Sequence, residues 1–244
     1  CGASIRAVEQ LANLECRLAV KKWVSDPRCF NDSRATIEAQ IGKLESLIST
    51  VGETSERRAL IGSSYKRLAH IASDKPTRLC EQALKKMEKA YKEASELEPN
   101  DSYPLSNYLV AQAARLLRTN DPEEIPGALP ELNRLVEQAD NLVQTNLQNS
   151  PDDIWAANGV LDIRLIDYMV KYMWEGSQEV GDGVFDDLFE KYQITWQRFG
   201  SAREINSVIE HYAFLRAVLK VSESRKKLLD LLEKMLSSLK SIAA

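Results

Sequence analysis

Thiol and imidazole chemistry in this chain rests on four cysteines (Cys1, Cys16, Cys29, Cys80) and two histidines (His70, His211). A cysteine nucleophile needs a histidine base brought to it. No cysteine here lies in a catalytic-type local signature, and both histidines fall inside helical patterns. No two cysteines have C-x-x-C spacing, and neither histidine has a second ligand type at zinc spacing. The cysteines therefore read as free thiols of a reducing compartment, with Cys16 and Cys80 packed on helix faces. Carboxylates are plentiful: Asp152-Asp153, Asp162, Asp167, Asp186-Asp187 and Glu190, with Glu123-Glu124 in a loop. Acid–base or metal chemistry needs such groups to converge. Asp162 and Asp167 instead stand about 140° apart around a helix. Gly181-Asp182-Gly183 lacks the spacing of a calcium or phosphate loop and reads as a plain loop. The expectation is a chain with no catalytic residue, no metal site and no cofactor. Any catalytic domain would lie outside it.

Charge is more informative. Residues 1–120 hold 19 basic and 15 acidic side chains, and residues 121–244 hold 13 and 21. The basic half concentrates Arg57, Arg58, Lys66 and Arg67 on one helical segment and Lys85, Lys86, Lys89 and Lys92 on the next. Lys85, Lys89 and Lys92 share one helix face. Arg57, Arg58, Lys85, Lys89 and Lys92 thus form a candidate basic face over residues 57–92, where a nucleic-acid-containing complex or an acidic protein would dock. Interleaved Glu81, Glu88, Glu93 and Glu96, and an overall net charge of −4, argue against general nucleic-acid binding.

The elements that must position these residues are helical. The 244 residues are 44% hydrophobic and 28% charged, with 18 Gly and Pro together, which excludes disordered, collagen-like and disulfide-scaffold classes. No stretch approaches the roughly 18 apolar residues of a membrane span, so a cytoplasmic location is expected. The chain opens on Cys1 rather than Met and enters an apolar-periodic run at once, so it reads as a piece of something longer or a processed product. Apolar residues recur at three and four throughout. Start and stop signals predict ten helices, near 3–24, 33–51, 54–73, 76–97, 102–118, 129–148, 153–175, 184–199, 202–220 and 223–242. Asp74-Lys75-Pro76 reads as a cap and first-turn proline for the fourth. Thr119 to Pro130 carries Pro122, Pro126 and Pro130 and reads as a loop. The stretch from Gly176 to Gly183 looks like a flexible connection. Ser201-Ala202-Arg203-Glu204 is a capping box, with Gly200 stopping the helix before it. The seventh helix is apolar on both faces and should be buried between neighbours.

Ten helices joined by short connections suit stacked pairs better than an ordinary bundle. Ile61-Gly62-Ser63-Ser64-Tyr65 matches the L-G-x2-Y signature of tetratricopeptide repeats. Tyr91, Ala94 and Pro99 match the end of the second helix of such a pair. Gly62 would let the partner helix come close. Trp155 and Gly159 stand at the matching spacing in a second, partial copy, where Asp162 replaces the tyrosine. The sequence therefore resembles a degenerate tetratricopeptide-repeat protein, clearest over 54–118 and 129–175 and atypical over 1–52 and 184–244. Gly62 and Tyr91 stand further apart than in the standard unit of about 34 residues. Residues Thr54 to Ala69 and Tyr192 to Leu215 also resemble repeat regions attached to bacterial caspase-like (CHAT) proteases and related signalling effectors. That resemblance implies a regulatory region that binds partners and controls a linked caspase-like or kinase domain.

The fold expected is all-α: a single domain over 1–244, built as a right-handed α-solenoid of tetratricopeptide-like antiparallel helix pairs. In such an array the first helix of each pair lines the groove. With helices 3–4, 5–6 and 7–8 as pairs, the groove candidates are Tyr65, Lys66, Asn107, Gln112, Arg115, Asn158, Asp162 and Arg164. Asn and Arg side chains there would clamp an extended peptide or a carboxylate of a protein partner.

Overall fold

A computed structural model describes residues 4–75, 78–119, 121, 123–175, 183–199, 201–220 and 226–243. Pro76, Pro122, Gly200 and the glycine-rich stretch 176–182, with Gly181 and Asp182, lie outside the described residues. Ten α-helices and no strand occur among the described residues. They are α1 (Ile5–Ser25), α2 (Phe30–Val51), α3 (Ser55–Ile71), α4 (Leu79–Leu97), α5 (Ser102–Thr119), α6 (Glu124–Asn149), α7 (Ile154–Glu175), α8 (Gly183–Phe199), α9 (Ala202–Leu219) and α10 (Lys226–Ala243). Among the described residues, no helix is long and apolar enough to cross a membrane. The chain forms two compact units, Cys1–Arg115 and Leu116–Ala244.

Local chemistry sets the boundaries of the first unit. Ser4 caps α1 by accepting from the Ala7 amide at 3.2 Å, and Thr54 does the same for α3 through the Arg57 amide. Gly52 ends α2 at φ +95°, a conformation that favours glycine. The fourth helix begins later than its sequence suggested. Arg78 precedes Leu79 with no side-chain cap, so Asp74 and Lys75 belong to the preceding turn.

Contacts at both ends show α3 and α4 to be antiparallel. The Ser55 hydroxyl donates to the Ala94 carbonyl at 2.9 Å, and the Cys80 thiol to the Ala69 carbonyl at 3.4 Å. Between them the Tyr91 ring lies flat on Gly62. A Cβ at Gly62 would meet Tyr91 Cδ2 at 2.7 Å. Leu84, Met87 and Tyr91 on α4 and Ile61, Leu68 and Ala69 on α3 are all buried. Each large side chain buried this way contributes about 1.5–3 kcal/mol.

The first helix runs parallel to α3 in a fixed register. Arg57 Nε donates to Glu9 Oε1 at 2.7 Å, the Cys16 thiol to Ser64 Oγ at 3.6 Å, and Trp23 meets His70 edge-on at 5.7 Å. The first two contacts each join residues 48 apart. This repeat offset exceeds the standard unit of about 34 residues, as the wide spacing of Gly62 and Tyr91 required. The hairpins α1–α2 and α3–α4 are thus stacked copies of one arrangement. Cys16 and Cys80 are fully buried on their helix faces.

In the second unit, α7 is buried on both faces, by α6 and α8. A Cβ at Gly159 would lie 3.2 Å from Val143 Cγ1, so the glycine serves the contact with α6. The sequence pairing of helices seven and eight gives way here to a closer pair, α6–α7. Trp155, which stands at repeat spacing from Gly159, is half exposed. The helix α6 starts at Glu124, inside the expected loop. Asp121 accepts from the Glu123 amide at 2.9 Å. Pro126 falls in the first turn, where a missing N–H costs nothing, and Pro130 faces solvent. Ser201 and Glu204 form the expected capping box of α9. Leu228, Leu231, Leu232, Met235, Leu236 and Leu239 form the buried stripe of α10.

Gly62→Ala is expected to destabilise the chain by about 1–3 kcal/mol, because the added methyl overlaps a buried ring. Tyr91→Leu in the same chain should recover part of the loss. Equilibrium denaturation of the two variants checks this. An unchanged midpoint for Gly62→Ala would refute the close packing.

Candidate functional site

The exposed sides of α2 and α4 define a groove with α3 as its floor. Residues Arg34, Glu38, Ile41, Gly42 and Glu45 recur along one face of α2 and form one wall. Leu79, Gln82, Ala83 and Lys86 on α4 form the other. Tyr65 and Leu68 of α3 lie between them. The volume is about 390 Å³, at the small end of ligand clefts. The helices α2 and α3 are joined by three residues and run antiparallel, as do α3 and α4, so the two walls run parallel. The Lys86 ammonium acts on the Tyr65 phenol from the α4 wall, and the Glu45 and Glu38 carboxylates act on it from the α2 wall.

The electrostatics follow from this packing. Burial pushes the Tyr65 phenol above its ordinary value, Lys86 pulls it down, and Glu45 pushes it up. The Lys86 ammonium sits 5.3 Å from the centre of the Tyr65 ring, a cation–π contact. Arg34 and Glu38 pair with each other at 2.9 Å along α2. Two cations and two carboxylates line the groove over an apolar floor, so its formal charge is zero.

Gly42 has no backbone reason to be glycine. Its φ is not positive, and a Cβ there would meet nothing within 4 Å. A helix-interior glycine costs roughly 0.5–1 kcal/mol against alanine. Its presence keeps the middle of the groove wide.

The other sequence candidates are dispersed. Lys66 is half-buried and its charge acts on His70. Asn107 donates its amide to the Tyr103 carbonyl at 2.9 Å. Gln112 turns its amide oxygen inward. Arg115 is only 6% exposed and pairs with Glu88 at 2.6 Å, so it ties α5 to α4. In the second unit, Asn158 is 4% exposed, with both amide atoms buried and unpaired in the packed interior. Asp162 accepts from the Tyr192 hydroxyl at 3.1 Å, and Arg164 pairs with Asp187 at 2.9 Å on the surface. The two contacts also set α7 and α8 antiparallel. Of the eight groove candidates, Tyr65 alone lines this groove. Gly42, Glu45, Gln82 and Lys86 lie outside the expected groove, because α2 and α4 would be the outer helices of their pairs. The signal that would have found them is an exposed glycine inside an otherwise regular helix.

The basic face is largely spoken for. The Arg57 fork holds Glu9 and the Gly52 carbonyl, the latter at 2.6 Å. Arg58 pairs with Glu53 and, at 3.1 Å, with Glu93. Lys89 reaches Glu93 at 3.7 Å, and Lys92 reaches Glu96 at 4.0 Å. Lys85 is exposed. Glu93 and Glu96 of the interleaved glutamates, together with Glu9 and Glu53, thus neutralise most of this face.

His70 is held below its ordinary value, to about 4, first by burial and then by the Lys66 charge. Asp162 departs from the expected solvated carboxylates, being half-buried beneath Tyr192.

Stacked helix hairpins are the architecture that a tetratricopeptide-like region would have in the first unit. Residues 2–112 match the family model described as Tetratricopeptide Repeats-Sensor. The match spans the first unit and ends three residues before its boundary at Arg115. It supports a tetratricopeptide-like region there. No curated protein and no solved structure matches the chain.

Two stability outcomes follow. The unfolded chain protonates His70 near pH 6.5, the folded chain only near pH 4. Between these values the unfolded state binds more protons, so stability falls as pH drops through that window. The loss is of order 3 kcal/mol in total. His70→Phe should flatten the slope in pH-dependent denaturation, and an equally steep slope would sink the assignment. Gly42→Ala is expected to raise stability by roughly 0.5–1 kcal/mol, since nothing opposes the methyl. A lower denaturation midpoint would show that Gly42 is needed by the fold.

Proposed function

We propose that the chain is a binding and regulatory module whose groove between α2 and α4 takes a short extended segment of a protein partner. The observation that supports this best is Gly42: a helix position where the chain forgoes stability and keeps a groove open over Tyr65 and Leu68. Extended segments suit such a channel, because their side chains alternate while Gln82 offers both a donor and an acceptor to the backbone. The match to a repeat family named for sensing points the same way. In this reading the chain works by binding rather than bond-making. The resemblance to repeat regions of caspase-like proteases and related effectors extends the reading: occupancy of the groove would control a linked effector domain.

A rival reading places a nucleic-acid-containing complex on the basic face of residues 57–92. The ion pairs of Arg57, Arg58, Lys89 and Lys92 weigh against it.

Peptide-library selection on the full chain tests the groove. Selected peptides should bind wild type and lose about tenfold or more in affinity against Gly42→Trp, whose side chain fills the groove from an unobstructed position. The thermal midpoint of that variant should hold. Selected peptides that bind Gly42→Trp as well as wild type would overturn the reading.

A further inference from the structure

The outer face of α1 leaves apolar side chains in water. Leu11 and Leu14 are each 52% exposed, and Leu18 is 50% exposed. Glu9, Cys16 and Trp23 face α3 through Arg57, Ser64 and His70. On a helix of about 3.6 residues per turn the three leucines lie on the opposite side. Ala7, Leu11, Leu14, Leu18, Lys21 and Ser25 recur at alternating steps of four and three, and all six are exposed. That is the narrow seam along which one helix packs on another in a coiled coil. A terminal helix of a repeat stack whose outer side meets only water carries polar residues there. Lys21 stands in the seam itself, is exposed and, among the described residues, makes no ion pair. Arg17 and Lys22 flank the seam, with Lys22 held by Asp32 at 3.2 Å. Glu9 is taken by Arg57, which leaves Glu15 as the carboxylate along this helix.

We propose that this face docks an amphipathic helix of a partner protein. Its aliphatic stripe packs on Leu11, Leu14 and Leu18, and acidic residues beside that stripe meet Lys21. The proposal does not depend on the groove between α2 and α4. A second copy of α1 fits less well. Aligned parallel, it sets Lys21 on Lys21. Aligned antiparallel, so that Leu11 meets Leu14 and Leu18 meets Ala7, it sets Lys21 on Ser4. Neither alignment puts a carboxylate opposite the cation in the seam. An anionic membrane surface would take the cations, but it suits a helix with aromatic side chains on its apolar face. Trp23, the aromatic residue of α1, is turned to His70 instead.

The test uses the full chain and two end-blocked fluorescent peptides of about four heptads, with leucine at both seam positions. One carries glutamate at the positions beside the seam and the other lysine, so that like charges keep each from pairing with itself. Fluorescence anisotropy should show the glutamate peptide binding about tenfold tighter than the lysine peptide. Leu14→Glu should weaken binding of the glutamate peptide about tenfold or more, because it puts a charge in the apolar contact. Lys21→Glu should narrow the preference about fivefold, the worth of one exposed ion pair. Both variants should keep the wild-type thermal midpoint, because both side chains are exposed. Gly42→Trp should bind the glutamate peptide as wild type does; a loss there would move the peptide to the groove and overturn the inference. A glutamate peptide that binds Leu14→Glu as it binds wild type, or a preference that ignores Lys21→Glu, overturns it too. So does a Leu14-dependent dimer in sedimentation velocity without peptide, or Leu14-dependent capture on phosphatidylserine vesicles.

Discussion

A tyrosine ring lying on a glycine sets the geometry of the first unit. Gly62 has no side chain, so Tyr91 comes within contact distance of the α3 backbone. That closeness holds α4 against α3 along its length, with Ser55 and Cys80 fastening the two ends. Once α4 is held there, its outer face stands at a definite distance from α2. The groove is the space left over Tyr65 and Leu68. Any residue larger than glycine at position 62 forces a buried ring to move, and interiors yield little to such demands.

The second constraint is register. Three contacts of different chemistry hold α1 parallel to α3: an ion pair to Arg57, a thiol on Ser64 and a ring on His70. Arg57 also takes the Gly52 carbonyl at the end of α2. One side chain thus fixes three helices, which explains why it is only 12% exposed. Its charge serves the stack rather than a partner. The same distinction runs through the basic residues of this unit. Those with a glutamate one turn away or across a helix boundary are neutralised in place. Lys86 faces the groove and an aromatic ring.

Much of the helical framework was legible from residue spacing. The buried stripes of α2 and α10, the apolar α7, the capping box at Ser201 and the special roles of Gly62 and Gly159 follow from periodicity and side-chain size. The misreadings have physical causes. Three prolines in twelve residues read as a loop, yet Pro126 falls where a helix needs no N–H and Pro130 lies on an exposed face of α6. Arg115 and Asn158 looked like groove residues because polar side chains on a first helix usually face outward. Burial beside Glu88 and within the second unit's interior took them instead. The groove itself was hardly legible. Its walls come from two helices about 40 residues apart in sequence, and the packing of both on α3 brings them together.

The central claim is that Tyr91 lies flat on Gly62, and proton NMR reads it directly. The two α-protons of Gly62 should sit well upfield of ordinary glycine values, shielded by the ring, and should show strong nuclear Overhauser contacts to the Tyr91 ring protons. Gly42, with nothing over it, should give ordinary shifts in the same spectrum. Unshifted Gly62 α-protons with no contact to Tyr91 would contradict the close approach of α3 and α4, and with it the groove built upon it.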